Sequence, residues 1–260
     1  MKKKPLTVVI AAGGTAGHLF PGEALAYELQ KRSYKIIWIT DKRGSCVNTE
    51  LNNHEQYVIH AKGISGKNAF SKVGGLVSFV RGTYQARKIL NRLQPSAVIG
   101  FGGYAAAPTV MAASNLCIPT AIHEQNAVLG KANRLLAKRV DKVCLSFRDT
   151  QAIPLGVKTI YTGMPVRSNF KKIRGQDFRT PDKNGEIRIL VLGGSQGASI
   201  FSDLIPSTIK HLPESLRSRL KIDQQCRKES LDNTLSAFSG TGVCVRLQSF
   251  FENIPELLSQ

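Results

Sequence analysis

His18 places an imidazole, the side-chain type suited to general acid–base work, beside a glycine turn. It closes the run Gly13-Gly14-Thr15-Ala16-Gly17-His18. Glycines let a backbone pass close to a ligand, and a following helix turns free N–H groups and a positive dipole end toward it. The chemistry this pattern suits is anion binding beside a general base. Its spacing, Gly-Gly-x-x-Gly, departs from the Gly-x-Gly-x-x-Gly dinucleotide fingerprint, so an NAD oxidoreductase fits poorly even though Asp41 ends the second apolar run. Two later stretches share the grammar: Gly100-Phe101-Gly102-Gly103-Tyr104 and Gly193-Gly194-Ser195-Gln196-Gly197-Ala198. A polar cluster, His123-Glu124-Gln125-Asn126, ends another short apolar run.

Each of these stretches needs an element to aim it. Val8-Val9-Ile10-Ala11-Ala12 reads as a strand, and Pro21 to Leu29 as the helix after the turn. Residues 34–40, 57–60, 96–99, 118–123, 140–146 and 158–162 read as further strands, the last running into the proline turn Gly163-Met164-Pro165-Val166-Arg167. Residues 105–115 and 129–137 read as helices, with Pro108 in the first turn of its helix. Residues 168–186 are polar and rich in breakers. Then the pattern restarts: strand 187–192, the Gly193-Gly194 turn, helix 199–212. Strands alternating with helices predict parallel α/β sheets. Two Rossmann-like domains in tandem explain the restart: residues 1–166, a linker at 167–186, and residues 187–260. The second has room for two or three βα units, and its last segment, Ile254 to Gln260, reads as a helix whose following strand is missing. It is expected to be incomplete.

The chain has 260 residues, 36 Lys+Arg against 18 Asp+Glu, and a net charge of +18, which implies attraction to something anionic. The five cysteines are scattered without a Cys-x-x-Cys pair, which points to thiols in a reducing compartment and away from zinc. No apolar run approaches the ~18 residues of a spanning helix. The cations are spread along the chain and belong to no recognisable nucleic-acid module, so nucleic acid is not the expected partner.

Between Phe70 and Leu93, Phe70, Val73, Val77, Val80 and Tyr84 recur at helical spacing, Leu76 and Phe79 widen the stripe, and Lys72, Arg81, Arg87, Lys88 and Arg92 surround it. Periodicity alone favours a core-facing helix with a basic solvated back. A stripe resting on an anionic bilayer is the alternative.

The five motifs, in order and at suitable intervals, resemble the MurG-type transferases of peptidoglycan synthesis across essentially the whole chain: Gly13 to His18 with Pro21-Gly22, Gly100 to Tyr104 with Pro108, His123 to Asn126, Gly163 to Arg167, and Gly193 to Ala198. The resemblance implies a GT-B arrangement of two Rossmann-like domains. It implies inverting transfer of N-acetylglucosamine (GlcNAc) from UDP-GlcNAc to the undecaprenyl-diphosphate-linked muramyl pentapeptide, lipid I, giving lipid II. The enzyme of that family is peripheral, on the cytoplasmic face of the bacterial inner membrane, and serves cell-wall growth, cell shape and cell division, with other cell-wall synthesis proteins as possible partners. The resemblance places Thr15, Ala16, Gly17 and Asn126 at the donor sugar, Arg167 and Ser195 at the UDP diphosphate, and Phe251 by the uracil. It places Gly14, Gly102, Gly103 and Tyr104 at the acceptor. His18 is then the candidate base, with Glu124 as the alternative or as the group that orients it. No protein-bound metal or cofactor is expected, and a divalent ion could arrive with the acceptor diphosphate. A polyprenyl-linked acceptor also favours the bilayer reading of residues 70–93, with Lys131, Arg134, Lys138 and Arg139 on the same face.

One departure stands out. The family continues with a Gly-Ala-x-Thr-x-x-Glu stretch and a glutamine-bearing loop at the donor, and neither occurs here. The expectation is weak binding of UDP-GlcNAc. The alternative function is a truncated or split half that binds lipid diphosphate and needs a partner chain.

Overall fold

A computed structural model describes residues 5–46, 54–61, 69–178, 180–194 and 198–260, with backbone only at 46, 69–72 and 104. Contacts divide the chain into two units, Met1–Arg167 and Ser168–Gln260.

The first unit is built on seven strands: β1 (Thr7–Ala11), β2 (Lys35–Thr40), β3 (Glu55–Val58), β4 (Ala97–Gly100), β5 (Thr120–Glu124), β6 (Lys142–Leu145) and β7 (Thr159–Tyr161). They pair in the order β3-β2-β1-β4-β5-β6-β7, every ladder parallel. Four helices connect them: α1 (Ala16–Lys31), α2 (Ala69–Leu93), α3 (Gly103–Asn115) and α4 (Lys131–Leu136). Side chains alternate across the sheet because the strand period is two. Val8, Ile10, Ile36 and Trp38 pack with Leu19, Ala26 and Phe101 on one face. Val9, Ile37, Ile39, Val98, Ile122 and Val143 pack with Ala86, Leu90, Ala105 and Val110 on the other. Burial on both faces is why β1 and β2 read as continuous apolar runs. The strand order reverses between β1 and β4, and ligands of such sheets sit at the carboxyl ends flanking that reversal.

Two helices begin earlier than their sequence pattern suggests. α1 starts at Ala16 and keeps Pro21 inside it, and α3 starts at Gly103 with Pro108 inside. Proline lacks the N–H that would bond four residues back, so the carbonyls of Gly17 and Tyr104 lose their usual helical partners. Both lie in first turns beside a glycine loop.

α2 departs from the core-facing stripe that periodicity alone favours. Val73, Leu76, Val77, Val80 and Tyr84 are 58–61% exposed. The face that packs inward combines small residues, Gly75, Gly82 and Ala86, with Leu90 and with Phe79, a member of the predicted stripe that does turn to the core. A Cβ at Gly82 would lie 2.3 Å from the His60 carbonyl and 3.4 Å from Pro108. Close approach to α3 therefore selects glycine and alanine, and a hydropathy pattern does not register them as a core face.

The second unit carries α5 (Ser168–Lys171), β8 (Ile187–Val191), α6 (Ile200–Lys210), α7 (Glu214–Arg217), β9 (Leu220–Gln225), α8 (Leu231–Ala237), β10 (Cys244–Gln248) and α9 (Ile254–Leu258). Its sheet is β10-β9-β8, again parallel. Ile209, Leu220, Ile222 and Phe238 form its core. It is the smaller, partial member of an α/β pair.

Candidate active site

The glycine loop after β1 meets the one after β4 at the strand-order reversal. A Cβ at Gly103 would lie 2.3 Å from the Gly13 carbonyl, so the two backbones touch where any side chain would separate them. Gly14, Gly102 and Gly103 all have positive φ, of 84°, 88° and 76°. Glycine is the residue that adopts this conformation without strain.

His18 sits in the first turn of α1, half-buried, with Nδ1 against Gly102: a Cβ there would lie 2.8 Å from it. That Nδ1 is buried and has no hydrogen-bond partner. Thr15 is the N-cap of α1, and Ala16 and Gly17 are its first two residues. The first glycine turn differs from a bare anion cradle. Asp41, buried just past β2, accepts the Gly14 N–H at 3.0 Å and the Gly44 N–H at 2.8 Å on the same oxygen. One donor expected to meet a ligand is thus already engaged by a carboxylate. The position of Asp41 at the end of the second strand was legible in the sequence, but its pairing with Gly14 was not.

The end of β5 ties three loops together. His123 is buried, its Nε2 donating to the Gly163 carbonyl at 3.0 Å, with its ring 5.3 Å from that of Phe101. Burial lowers its pKa, outweighing the Gly163 carbonyl and Glu124, which favour the charged form. Gln125 donates to the Phe101 carbonyl at 2.9 Å, fixing the loop that carries Gly102 and Gly103. Glu124 is 1% exposed. One oxygen accepts the backbone N–H and carboxamide of Asn126 at 3.0 and 2.9 Å. The other accepts the Gly130 N–H at 2.8 Å and the Asn133 carboxamide at 2.9 Å. Burial pushes the carboxyl pKa up, but these donors from Gly130, Asn133 and Asn126 outweigh it and hold it below the usual carboxylate value. Its hydrogen bonds all stay within its own loop and α4, and none reaches His18. This arrangement does not suit the alternative base or an orienter of His18: both oxygens are saturated and away from solvent. Asn133 was missed in the sequence because nothing in a short helix marks one asparagine as buried.

Asn126 itself is exposed. Arg167 lies with its guanidinium carbon 4.1 Å from the centre of the Phe20 ring on α1, so it belongs to the same end of the first unit. Of Tyr104 only the backbone, in the first turn of α3, is described.

In the second unit, Gly194 has φ 74° and open space around it, and Gly193 N–H donates to the Gln225 carboxamide oxygen at 3.2 Å. Ser195 lies outside the described residues. The Phe251 ring is 2% exposed, with the Arg246 guanidinium 5.6 Å from its centre. Its neighbour Phe250 is exposed and lines an open groove with Leu247, Gln248, Ser249 and Asn253. Among the described residues no group of three or more His, Cys, Asp or Glu is placed to hold a metal ion.

Two Rossmann-like units with glycine loops at strand ends are the architecture of the GT-B class. Residues 8–145 match the glycosyltransferase family 28 N-terminal domain and residues 188–260 its C-terminal domain. The chain is 47% identical over 260 residues to the UDP-N-acetylglucosamine--N-acetylmuramyl-(pentapeptide) pyrophosphoryl-undecaprenol N-acetylglucosamine transferase of Paramagnetospirillum magneticum, covering 99% of this chain and 70% of that protein. It is 42% identical over 254 residues to the Rhodospirillum rubrum enzyme of the same name, covering 98% of this chain and 65% of that one. The crystal structure of Acinetobacter baumannii MurG superposes with a TM-score of 0.69 at 28% identity, over 98% of this chain and 71% of that chain. The chain belongs to glycosyltransferase family 28 and, within it, to the MurG-type N-acetylglucosaminyltransferases. It spans about two thirds of the length of these curated relatives.

Proposed function

We propose that this chain transfers N-acetylglucosamine from UDP-N-acetylglucosamine to the muramyl group of lipid I in peptidoglycan synthesis. The observation that carries the reading is the 47% identity, over 99% of the chain, to a transferase named for those two substrates. The site geometry supports it. The muramyl hydroxyl attacks the anomeric carbon, its proton passes to His18, and UDP leaves with inversion. His18 acts through Nε2, since Nδ1 is buried against Gly102. The protein's task is to hold the hydroxyl in line and stabilise the departing diphosphate. Thr15, Ala16, Gly17 and Asn126 face the donor sugar. The Gly17 carbonyl, freed by Pro21, is an acceptor available to a sugar hydroxyl. Arg167 and Ser195 serve the diphosphate. The groove beside Phe250 takes the uracil, with Phe251 shaping its floor from inside. Gly102, Gly103 and Tyr104 border the acceptor.

The acceptor carries a polyprenyl tail, and the exposed stripe of α2 gives the first unit a surface to rest on a bilayer. Val73, Leu76, Val77, Val80 and Tyr84 form one apolar face, flanked by exposed Arg81, Arg87 and Lys88. Apolar contact supplies the depth and the cations attract anionic headgroups. No helix among the described residues is long and apolar enough to cross a membrane. The enzyme works as a peripheral protein on the cytoplasmic face.

The test is transfer of labelled N-acetylglucosamine onto a lipid I analogue by the 260-residue chain. Activity that His18→Ala and Ser195→Ala each reduce by about a hundredfold or more supports the reading. No transfer by the unaltered chain overturns it.

A further inference from the structure

Glu124 is a buried carboxylate with both oxygens bonded, and none of its bonds reaches His18. Four donors converge on it: two from Asn126, one from Gly130 and one from Asn133. An ionised carboxylate only accepts hydrogen bonds. The Asn126 carboxamide must therefore turn its nitrogen toward Glu124. Its oxygen is left to point away from Glu124, at an exposed position. Without that constraint the carboxamide could present either a donor or an acceptor.

We propose that Glu124 is a positioning residue for sugar recognition: it locks Asn126 so that the side chain offers an acceptor, and so selects a ligand hydroxyl or amide N–H that donates. This rests on the reading of Asn126 as a contact to the donor sugar. The same carboxylate holds the Gly130 N–H at the N-cap of α4 and the Asn133 carboxamide inside that helix, so the loop 126–130 cannot move independently of Asn126. Asn126 is thereby braced on both sides before a ligand arrives, which removes the ordering cost at binding.

Glutamine at position 124 has one accepting oxygen and one donating nitrogen. It can satisfy Gly130 and Asn133 or the Asn126 pair, never both. Glu124→Gln therefore leaves one side of the brace, Asn126 or Gly130 with Asn133, without its acceptor, and is expected to loosen the Asn126 carboxamide and weaken transfer about tenfold, through KM for UDP-N-acetylglucosamine, with the pH profile unchanged. Asn126→Asp alone places two carboxylates together and weakens transfer further. The pair Glu124→Gln with Asn126→Asp puts an accepting oxygen toward the ligand and an amide nitrogen behind it, but leaves the backbone N–H of position 126 without its acceptor, so it is expected to recover activity in part, above either single variant.

Transfer kinetics on a lipid I analogue with UDP-N-acetylglucosamine decide the matter. Rescue by the pair supports the proposal. Loss in kcat with an altered pH profile and no rescue overturns it in favour of proton transfer by Glu124. If Asn126→Ala leaves transfer and KM unchanged, the reading of Asn126 as a sugar contact fails, and the proposal with it. If Asn126→Ala impairs transfer and the pair does not rescue, the positioning role alone fails. Amide NMR of the free chain guards against misfolding: Glu124→Gln is expected to move the Asn126 side-chain signals and leave those of β1 in place. Unmoved Asn126 side-chain signals overturn the proposal.

Discussion

The two Gly-Gly turns after β1 and β8 are built alike and charged differently. In each, one glycine N–H is held by a side chain at the end of the adjacent strand. Gly14 donates to the Asp41 carboxylate past β2, and Gly193 donates to the Gln225 carboxamide at the end of β9. The first turn thus has a carboxylate fixed within hydrogen-bond distance of its backbone, while the second has a neutral group there. A phosphate approaching the first meets a carboxylate partly offset by the exposed Arg43 guanidinium 3.9 Å from Asp41, and one approaching the second meets neither. The turns also differ in packing. Gly103 presses on Gly13, whereas Gly194 has open space around it. The first turn is closely packed, and the second has a neutral partner and, among the described residues, open space at Gly194.

The largest expected effect tests the packing half of that contrast. Gly103→Ala drives a Cβ into the Gly13 carbonyl at a positive φ. It is expected to destabilise the chain by about 3 kcal/mol in urea unfolding, from left-handed strain plus overpacking. Gly194→Ala has the strain without the clash and should cost about 1–2 kcal/mol. Equal costs would break the contrast.

The charge half is tested next. Asp41→Asn can keep both N–H bonds, because Gly14 and Gly44 donate to one oxygen. It should cost about 1–2 kcal/mol, the difference between charged and neutral acceptors. At low ionic strength it should strengthen binding of a diphosphate-bearing acceptor analogue about tenfold. Gln225→Glu makes the reverse change and should weaken UDP binding by a similar factor. Calorimetry that finds no response to either change would mean the turns are electrostatically equivalent.

Acid should separate the units. His123 and Glu124 both have lowered pKa values in the fold. A lowered folded value means the stabilisation is complete above the unfolded value and is lost as pH falls toward the folded one. The loss begins below about 6.5 for His123 and below about 4.5 for Glu124, the ordinary values for these groups. In the second unit Glu186 is held below the usual carboxylate value by Lys221 and Arg188, and its effect begins only below about 4.5. Amide signals around β5 should therefore broaden at higher pH than those around β9, and the opposite order would contradict the assignment.

The smallest effect on stability is at α2. Val77→Glu lies on the exposed stripe and should change unfolding by less than about 0.5 kcal/mol. The same change should lower retention on anionic lipid vesicles. Lost stability with unchanged retention would mean that the stripe packs against protein.

Much of this architecture is legible in the chain. Apolar runs ending in glycines mark β1, β4 and β8, and the restart at Gly193 marks a second Rossmann-like unit. The bounds are less legible. Helices α1 and α3 absorb the loops before them, because glycines that look like turn residues also serve as N-terminal helix positions. The His123-Glu124-Gln125-Asn126 cluster stands out as polar, but its division of labour does not. His123 and Gln125 reach distant loops, whereas Glu124 and Asn126 bond each other and α4, with partners 2 to 40 residues away.

The sequence by itself determined the parallel α/β pattern, the placement of the glycine turns and the family, because these follow from local periodicity and from motifs in order. Tertiary structure alone decided which donors in the turns are already engaged, which way the α2 stripe faces, and that Glu124 braces Asn126. The reason is physical. Burial and hydrogen-bond satisfaction depend on what the fold brings alongside a residue, and Asp41, 27 positions from Gly14, is brought there only when β2 pairs with β1.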